Sequence, residues 1–153
     1  MTVKDLTAYL SPNLELPWNG VTFVVPPPSR ETGAILTAIN LAGVAAYTSA
    51  TGESCAACGR SGTVELSEKV QDLVRAAEDK DLGELSLGPA YQQMLDAGVP
   101  APDLELFELY ALYYWTMGED VADQIISARH KTRHGGQSSP KAPARRKSGR
   151  ASA

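Results

Sequence analysis

The sequence predicts a mainly α-helical protein: a single domain of five to six helices with a short N-terminal β-hairpin and a disordered basic C-terminal tail. Three observations support this fold class. Apolar residues recur at helical spacing over most of the chain up to residue 131. One Asn-Gly pair lies between two short apolar runs near the N-terminus. After residue 134 there is no large apolar residue that could offset the entropy cost of ordering. We therefore expect a helical domain over residues 1–131 and a tail over residues 132–153.

The predicted hairpin spans residues 14–25, LELPWNGVTFVV. Its two apolar runs meet at Asn19-Gly20, which is the strongest short-range hairpin signal because both residues tolerate positive φ. Pro17 has no N–H to donate, so we expect it at an edge or a bulge. Residues 26–28 are three prolines, and they end the second strand.

Further helices are predicted from apolar residues at helical spacing. Residues 3–10 are long enough for two helical turns. Ser29 is a suitable N-cap for a helix over residues 30–47, and residues 64–79 form an amphipathic helix. Residues 48–62 lose all periodicity and are rich in Ser, Gly and Ala, which is typical of a loop. The helix over residues 30–47 is expected to face the core through one line of residues and its neighbours: Ile35, Ile39, Ala42 and Ala46, with Leu36, Gly43 and Tyr47 beside them.

Residues 103–117, DLELFELYALYYWTM, form the helix around which the domain is predicted to be organised. After Asp103 its polar residues, Glu105, Glu108 and Thr116, lie within an arc of about 80°, which leaves an apolar arc of roughly 240°. A surface helix needs an apolar stripe of little more than about 100°, so this helix is either covered on several sides by its own domain or completed by a partner. Shorter helices at residues 88–97 and 119–131 flank it, and Gly98 and Gly118 separate the three.

The apolar arc of this helix divides into a middle and two flanks. The middle residues, Phe107, Tyr110 and Tyr114, are predicted to lie in the core. The flanks extend beyond what one neighbouring helix covers, and we therefore expect them to form a partner-binding surface. The flank residues are Leu104, Leu109, Tyr113 and Trp115.

Charge divides the chain into two parts. Up to Ala128 there are 6 basic and 18 acidic residues, a net charge of −12, and after it there are 8 basic and no acidic residues, a net charge of +8. The acidic body argues against nucleic-acid binding, and the basic tail has no interleaved aromatic residues on which bases could stack. No run reaches the roughly 18 apolar residues of a membrane span, and the N-terminus lacks the layout of a signal peptide. We therefore expect a cytosolic protein that binds no membrane.

The sequence predicts neither an enzyme nor a cofactor. There is no Gly-rich phosphate loop and no G-x-S-x-G motif, and both histidines lie at the edge of the tail. Cys55 and Cys58 form one C-x-x-C, which is half of a zinc site. His130 and His134 have a suitable mutual spacing, but 71 residues separate Cys58 from His130, where a zinc finger has about 12 to 15. We interpret the cysteine pair as an incidental part of a loop and predict no metal site.

Three segments resemble a known protein family. They are VPPPSRETG at residues 25–33, LGPAYQQMLDAGVP at residues 87–100 and YALYYWTMGED at residues 110–120. Together they resemble the tail assembly chaperones of long-tailed bacteriophages (siphoviruses) of actinobacteria, over about residues 14–128. The most distinctive part is LG-x-x-Y-x-x-M-x-x-x-G-V before an apolar helix that ends in W-T-x-G. Because this is a packing pattern, it transfers no functional residues, and the cysteine loop departs from it.

The resemblance implies a non-enzymatic protein of the host cell cytoplasm that binds the tape measure protein during tail assembly and is absent from the mature virion. It also implies two forms of the protein, the longer one made by programmed ribosomal frameshifting. The longer form is then a further partner. Independently of the resemblance, the apolar flanks of the helix over residues 103–117 predict a second copy of the chain as a partner. Two alternatives stay open: a small structural or adaptor protein that remains in the virion tail, and a zinc- or nucleic-acid-binding regulator.

Overall fold

The hairpin and helices occur in the predicted order in a computed structural model that describes residues 5–7, 10, 12–52 and 65–134. Within these residues the protein is mainly helical, with one two-stranded antiparallel sheet, so the predicted fold class is confirmed. The tail beyond residue 134, and the disorder predicted for it, lie outside the described residues. The elements are β1 (Leu14–Trp18), β2 (Val21–Val25), α1 (Arg30–Thr51), α2 (Glu68–Ala76), α3 (Leu82–Leu87), α4 (Pro89–Asp96), α5 (Ala101–Met117) and α6 (Glu119–His134).

The hairpin forms at the predicted turn. Asn19 and Gly20 have φ values of 45° and 84°, as the two central residues of a type I′ turn require. The register places Trp18 opposite Val21, and Pro17 opposite Thr22. Pro17 is tolerated because both strands of a two-stranded sheet are edge strands. One face of the hairpin is buried and consists of Leu14, Leu16, Phe23 and Val25.

The helices differ in length from their predictions, α1 and α2 most, and α6 continues to His134, three residues into the predicted tail. Helix α1 begins after the predicted N-cap, where the Ser29 side chain accepts a hydrogen bond from the Thr32 amide, but it runs to Thr51 and past the predicted end at residue 47. In the extension the hydroxyls of Thr48 and Thr51 donate to carbonyls four residues earlier, at 2.9 and 3.0 Å, and Gly52 in the left-handed conformation caps the end of the helix. Helix α2 is shorter than predicted, since the Ser67 side chain caps its start.

Helix α3 was not predicted. It has six residues, too few for a hydrophobic period to be recognised, and its start is fixed by Asp81, whose carboxylate accepts a hydrogen bond from the Gly83 amide at 2.7 Å. The two helical turns predicted at residues 3–10 fall mostly outside the described residues. The described part of the chain has six helices, within the predicted five to six. One of these six is α3, which was not among the predicted helices.

The core consists of two clusters that meet at α5. The first joins the hairpin to α4 and α5, and the Trp18 indole N–H adds a hydrogen bond to the Asp103 carboxylate at 3.1 Å. The second joins α1 to the residues around α2, to α3 and to α5. Buried residues of the first cluster are Leu14, Leu16, Phe23, Val25, Leu87, Ala90, Met94, Val99, Leu104 and Ala111. Those of the second are Ile35, Leu36, Ala77, Leu85 and Leu112.

Helix α5 is covered on several sides by its own domain. It contacts α1, α3 and α6, and its aromatic residues pack against the cluster that contains the hairpin. Of the two explanations for its wide apolar arc, the structure supports coverage by neighbouring elements of the same chain. Helix α6 lies beside α5, and Gly118, with a φ of 93°, allows the sharp reversal between them.

Candidate interaction surface

Of the four residues predicted to bind a partner, Leu104 lies in the core and Trp115 packs against it. Leu104 is 8% exposed and belongs to the first cluster. Trp115 packs against both clusters, and its indole N–H donates to the Ser86 backbone carbonyl at 3.1 Å. Leu104 is therefore not available to a partner in this fold, whereas Trp115 stays partly exposed.

The other predicted flank is partly covered. Leu109 is half-buried and lines a shallow depression together with Glu105, Leu106 and Arg129 of the neighbouring α6. Arg129 also lies 3.7 Å from the Glu105 carboxylate. Tyr113 is half-buried as well. Helix α6 thus occupies part of the space in which a partner of Leu109 was expected.

The predicted middle of the arc is not its most buried line. Phe107, Tyr110 and Tyr114 pack against the first cluster, as expected of core residues, but each stays partly exposed. The buried residues of α5 are Leu104, Ala111 and Leu112. The buried face is rotated from the predicted one because α5 has neighbours on several sides, and the smallest residue, Ala111, allows close approach.

Tyr110 links α5 to α6 through a hydrogen bond from its hydroxyl to the Asp123 carboxylate at 2.8 Å. Partial burial, and then this hydrogen bond, raise the pKa of Tyr110 from 10.0 to about 12. Because the folded-state pKa is raised, the contribution to stability is complete below pH 10 and is lost as the pH rises towards about 12.

We expect the free energy of unfolding of the wild type to fall relative to that of Tyr110→Phe over this pH range. Urea unfolding at several pH values measures the difference. The matched control is Asp123→Asn, in which the tyrosine loses a charged acceptor and its pKa should move back towards 10. A difference between wild type and Tyr110→Phe that does not change with pH would contradict the assignment.

Acidic side chains gather around the start of α3 and the middle of α5. Burial, then the charges of Asp81 and Glu105, raise the pKa of Glu108. The pKa of Tyr91 is raised by burial and by a hydrogen bond of 3.1 Å from its hydroxyl to Asp81. The proximity of these carboxylates disfavours the charged forms of Glu108 and Tyr91 at this site.

Three of the exposed large apolar residues in the described part of the chain lie on α1. Leu41, Val44 and Tyr47 are 45%, 52% and 63% exposed, and α1 has no charged residue from Thr32 to Thr51. Sequence reasoning missed this surface, because it placed Tyr47 beside the buried line and ended the helix there. Ala46 was also expected on that line but is exposed, and Ala45 is buried in its place.

A groove of about 270 Å³ lies between α1 and α2, next to this exposed area. Its α1 wall is made largely of small residues, and its α2 wall is apolar apart from Lys69. Lys69 contributes the only charged side chain. The lining residues are Gly33, Ala34, Thr37, Ala38, Leu41, Lys69, Val70 and Leu73. We call the groove together with Leu41, Val44 and Tyr47 the α1 surface.

Helix α1 is also long and apolar enough to cross a membrane by length and composition, with a mean hydropathy of 1.3 over 18 residues. A search for uninterrupted apolar runs misses this property, because polar residues such as Thr37 and Asn40 interrupt the helix. Core helices of soluble proteins pass the same test. Here α1 contributes Ile35 and Leu36 to the second cluster, and 22% of the apolar window is buried.

The described residues include no group of three or more His, Cys, Asp or Glu side chains that could hold a metal ion. Cys55 and Cys58 lie outside the described residues, so their interpretation as an incidental pair stays a prediction.

Residues 4–153 match the sequence profile of a family described as a domain of unknown function, DUF7426, and the chain belongs to this family. The match includes both the folded domain and the basic tail. No curated protein and no solved structure matches the chain.

Proposed function

We propose that this protein is a tail assembly chaperone that binds and shields the apolar helical tape measure protein while the tail of a long-tailed bacteriophage is assembled. The observation that carries the proposal is the α1 surface, an exposed apolar helix face with no charge beside an open apolar groove. The resemblance of residues 25–33, 87–100 and 110–120 to such chaperones supports the same function.

The α1 surface has the chemistry for binding an apolar helix. A protein can bind an amphipathic helix in a hydrophobic groove, which the apolar side chains of that helix fill. Leu41 belongs both to the groove and to the exposed line that continues through Val44 and Tyr47, so the two features form one continuous area. The small residues Gly33 and Ala34 allow the backbone of a bound helix to approach closely.

The charge of the domain complements this role. A tape measure protein is a long, apolar-rich helical chain that would aggregate before the tail tube encloses it. The domain up to Ala128 carries a net charge of −12, so complexes coated with it repel one another and stay in solution. Lys69 at the groove can pair with an acidic residue of the bound helix.

We also propose a cellular location and two forms for this protein. It is non-enzymatic, it acts in the host cell cytoplasm, and it leaves before the virion is complete. A longer form is produced by frameshifting near the end of the reading frame. Peptides that continue beyond the basic tail in a second frame, detected by mass spectrometry of infected cells, would identify that form.

The function is tested by co-expression with the tape measure protein encoded in the same viral genome. We expect the tape measure protein to be insoluble alone and soluble in complex with this chain, and purified virions to lack the chain. A stoichiometric amount of the chain in virions would instead favour the structural or adaptor alternative. A tape measure protein that stays insoluble would contradict the chaperone function.

A further inference from the structure

The outer edge of β2 presents backbone groups that have no partner in the sheet. In a two-residue type I′ turn the flanking residues, here Trp18 and Val21, are hydrogen-bonded to each other. Bonded and non-bonded pairs then alternate along an antiparallel ladder. Thr22 is opposite Pro17 and Val24 is opposite Glu15, and these are the non-bonded pairs. The N–H and C=O groups of Thr22 and Val24 therefore point away from β1.

The two edges of the hairpin differ in their protection. On β1 the outward positions are Pro17, which has no N–H, and Glu15, which is charged. Proline and charge are two of the means by which proteins prevent pairing at an edge strand. The sequence of β2, VTFVV, contains neither. Val21 and Val24 are exposed, and no other described element forms a backbone hydrogen bond with Thr22 or Val24.

We propose that β2 pairs antiparallel with β2 of a second copy of this chain, which forms a four-stranded sheet across a two-fold axis near Phe23. In this register Thr22 lies opposite Val24 of the second copy, and Val24 opposite Thr22, so that four backbone hydrogen bonds close the pair. The edge is self-complementary, as a two-fold interface requires. Pairing of this kind ends at two copies, because β1 protects the outer edge of each hairpin.

The self-complementary edge favours a second copy as the partner, whereas the net charge of the domain restricts how two copies can approach each other. Two domains that each carry a net charge of −12 up to Ala128 repel each other at most orientations. An uncharged strand can approach its own copy without placing carboxylates opposite each other. Added salt should therefore strengthen the dimer, because it screens the repulsion between the two bodies without weakening backbone hydrogen bonds.

Sedimentation equilibrium of the full chain over a range of concentrations tests the proposal. We expect a reversible monomer–dimer equilibrium that Val24→Pro weakens at least about tenfold, because each proline removes one hydrogen bond of the pair. The matched control is Glu15→Pro, which places proline at the register partner of Val24 on the other edge and should leave the dimer intact. Circular dichroism verifies that each variant is folded.

Thr22→Pro is a second variant at the same edge and should also give monomers. A wild type that is monomeric at every concentration would overturn the proposal, and so would dimers that survive both β2 prolines or assemblies larger than two. Unfolding of both β2 variants while Glu15→Pro folds would show that these N–H groups bond within the chain, which also overturns it.

Discussion

Trp115→Ala should lower the free energy of unfolding by about 3–5 kcal/mol. Trp115 is the side chain that packs against both core clusters, so its removal leaves a cavity at their junction. It also leaves the Ser86 carbonyl without the hydrogen bond from the indole N–H. Its ring meets that of Tyr114 edge to face, with centroids 4.9 Å apart, and this contact is lost as well. Chemical denaturation monitored by circular dichroism measures the effect.

Two control variants separate the contributions at this position. Trp115→Phe keeps most of the packing and removes the hydrogen bond, so it should cost less than the alanine variant. Met117→Ala truncates an exposed residue of the same helix and should change the stability by less than about 0.5 kcal/mol. If Trp115→Ala were as stable as Met117→Ala and lost only partner binding, Trp115 would be a surface residue, as the sequence predicted.

Leu36→Ala should cost about 3–5 kcal/mol, whereas Leu41→Ala on the same helix should be nearly neutral. Leu36 is fully buried in the second cluster, and Leu41 is 45% exposed. The two substitutions remove the same atoms from one helix, so helix propensity cancels in the comparison. Paired denaturation curves measure the two free energies. Equal destabilisation by both would mean that the outer face of α1 is covered within the monomer.

Local signals in the sequence were sufficient for the hairpin and for most helix starts. Asn19-Gly20 identified the turn because few residue pairs accept positive φ at both positions, and Ser29 capped α1 as expected. The ends of α1 and α2 were less predictable. Thr48 and Thr51 resemble loop residues in composition but continue the helix by bonding back to its carbonyls.

The buried face of α5 and of α1 could not be predicted from the sequence, because it depends on contacts between residues that are far apart in the chain. On α5 the apolar arc was recognised, but the hairpin, α3 and α6 share it. This arrangement makes Leu104 a core residue and packs Trp115 against both core clusters. On α1 small apolar residues occur all round the helix, so periodicity could not distinguish its buried face from the exposed line through Val44. The proposed binding surface therefore moves from α5 to α1.

The most direct test of the account is the affinity of the tape measure protein for a chain that carries Leu41→Glu and Val44→Glu. Charged side chains in an apolar interface lose their hydration without gaining a partner. We therefore expect binding to weaken at least about tenfold. The melting temperature should stay within a few degrees of that of the wild type. The matched control is Leu95→Glu on α4, where the leucine is 43% exposed, and it should bind normally. Unchanged binding by the α1 variant, together with loss of binding in Leu109→Glu or Tyr113→Glu, would contradict the account and return the site to α5.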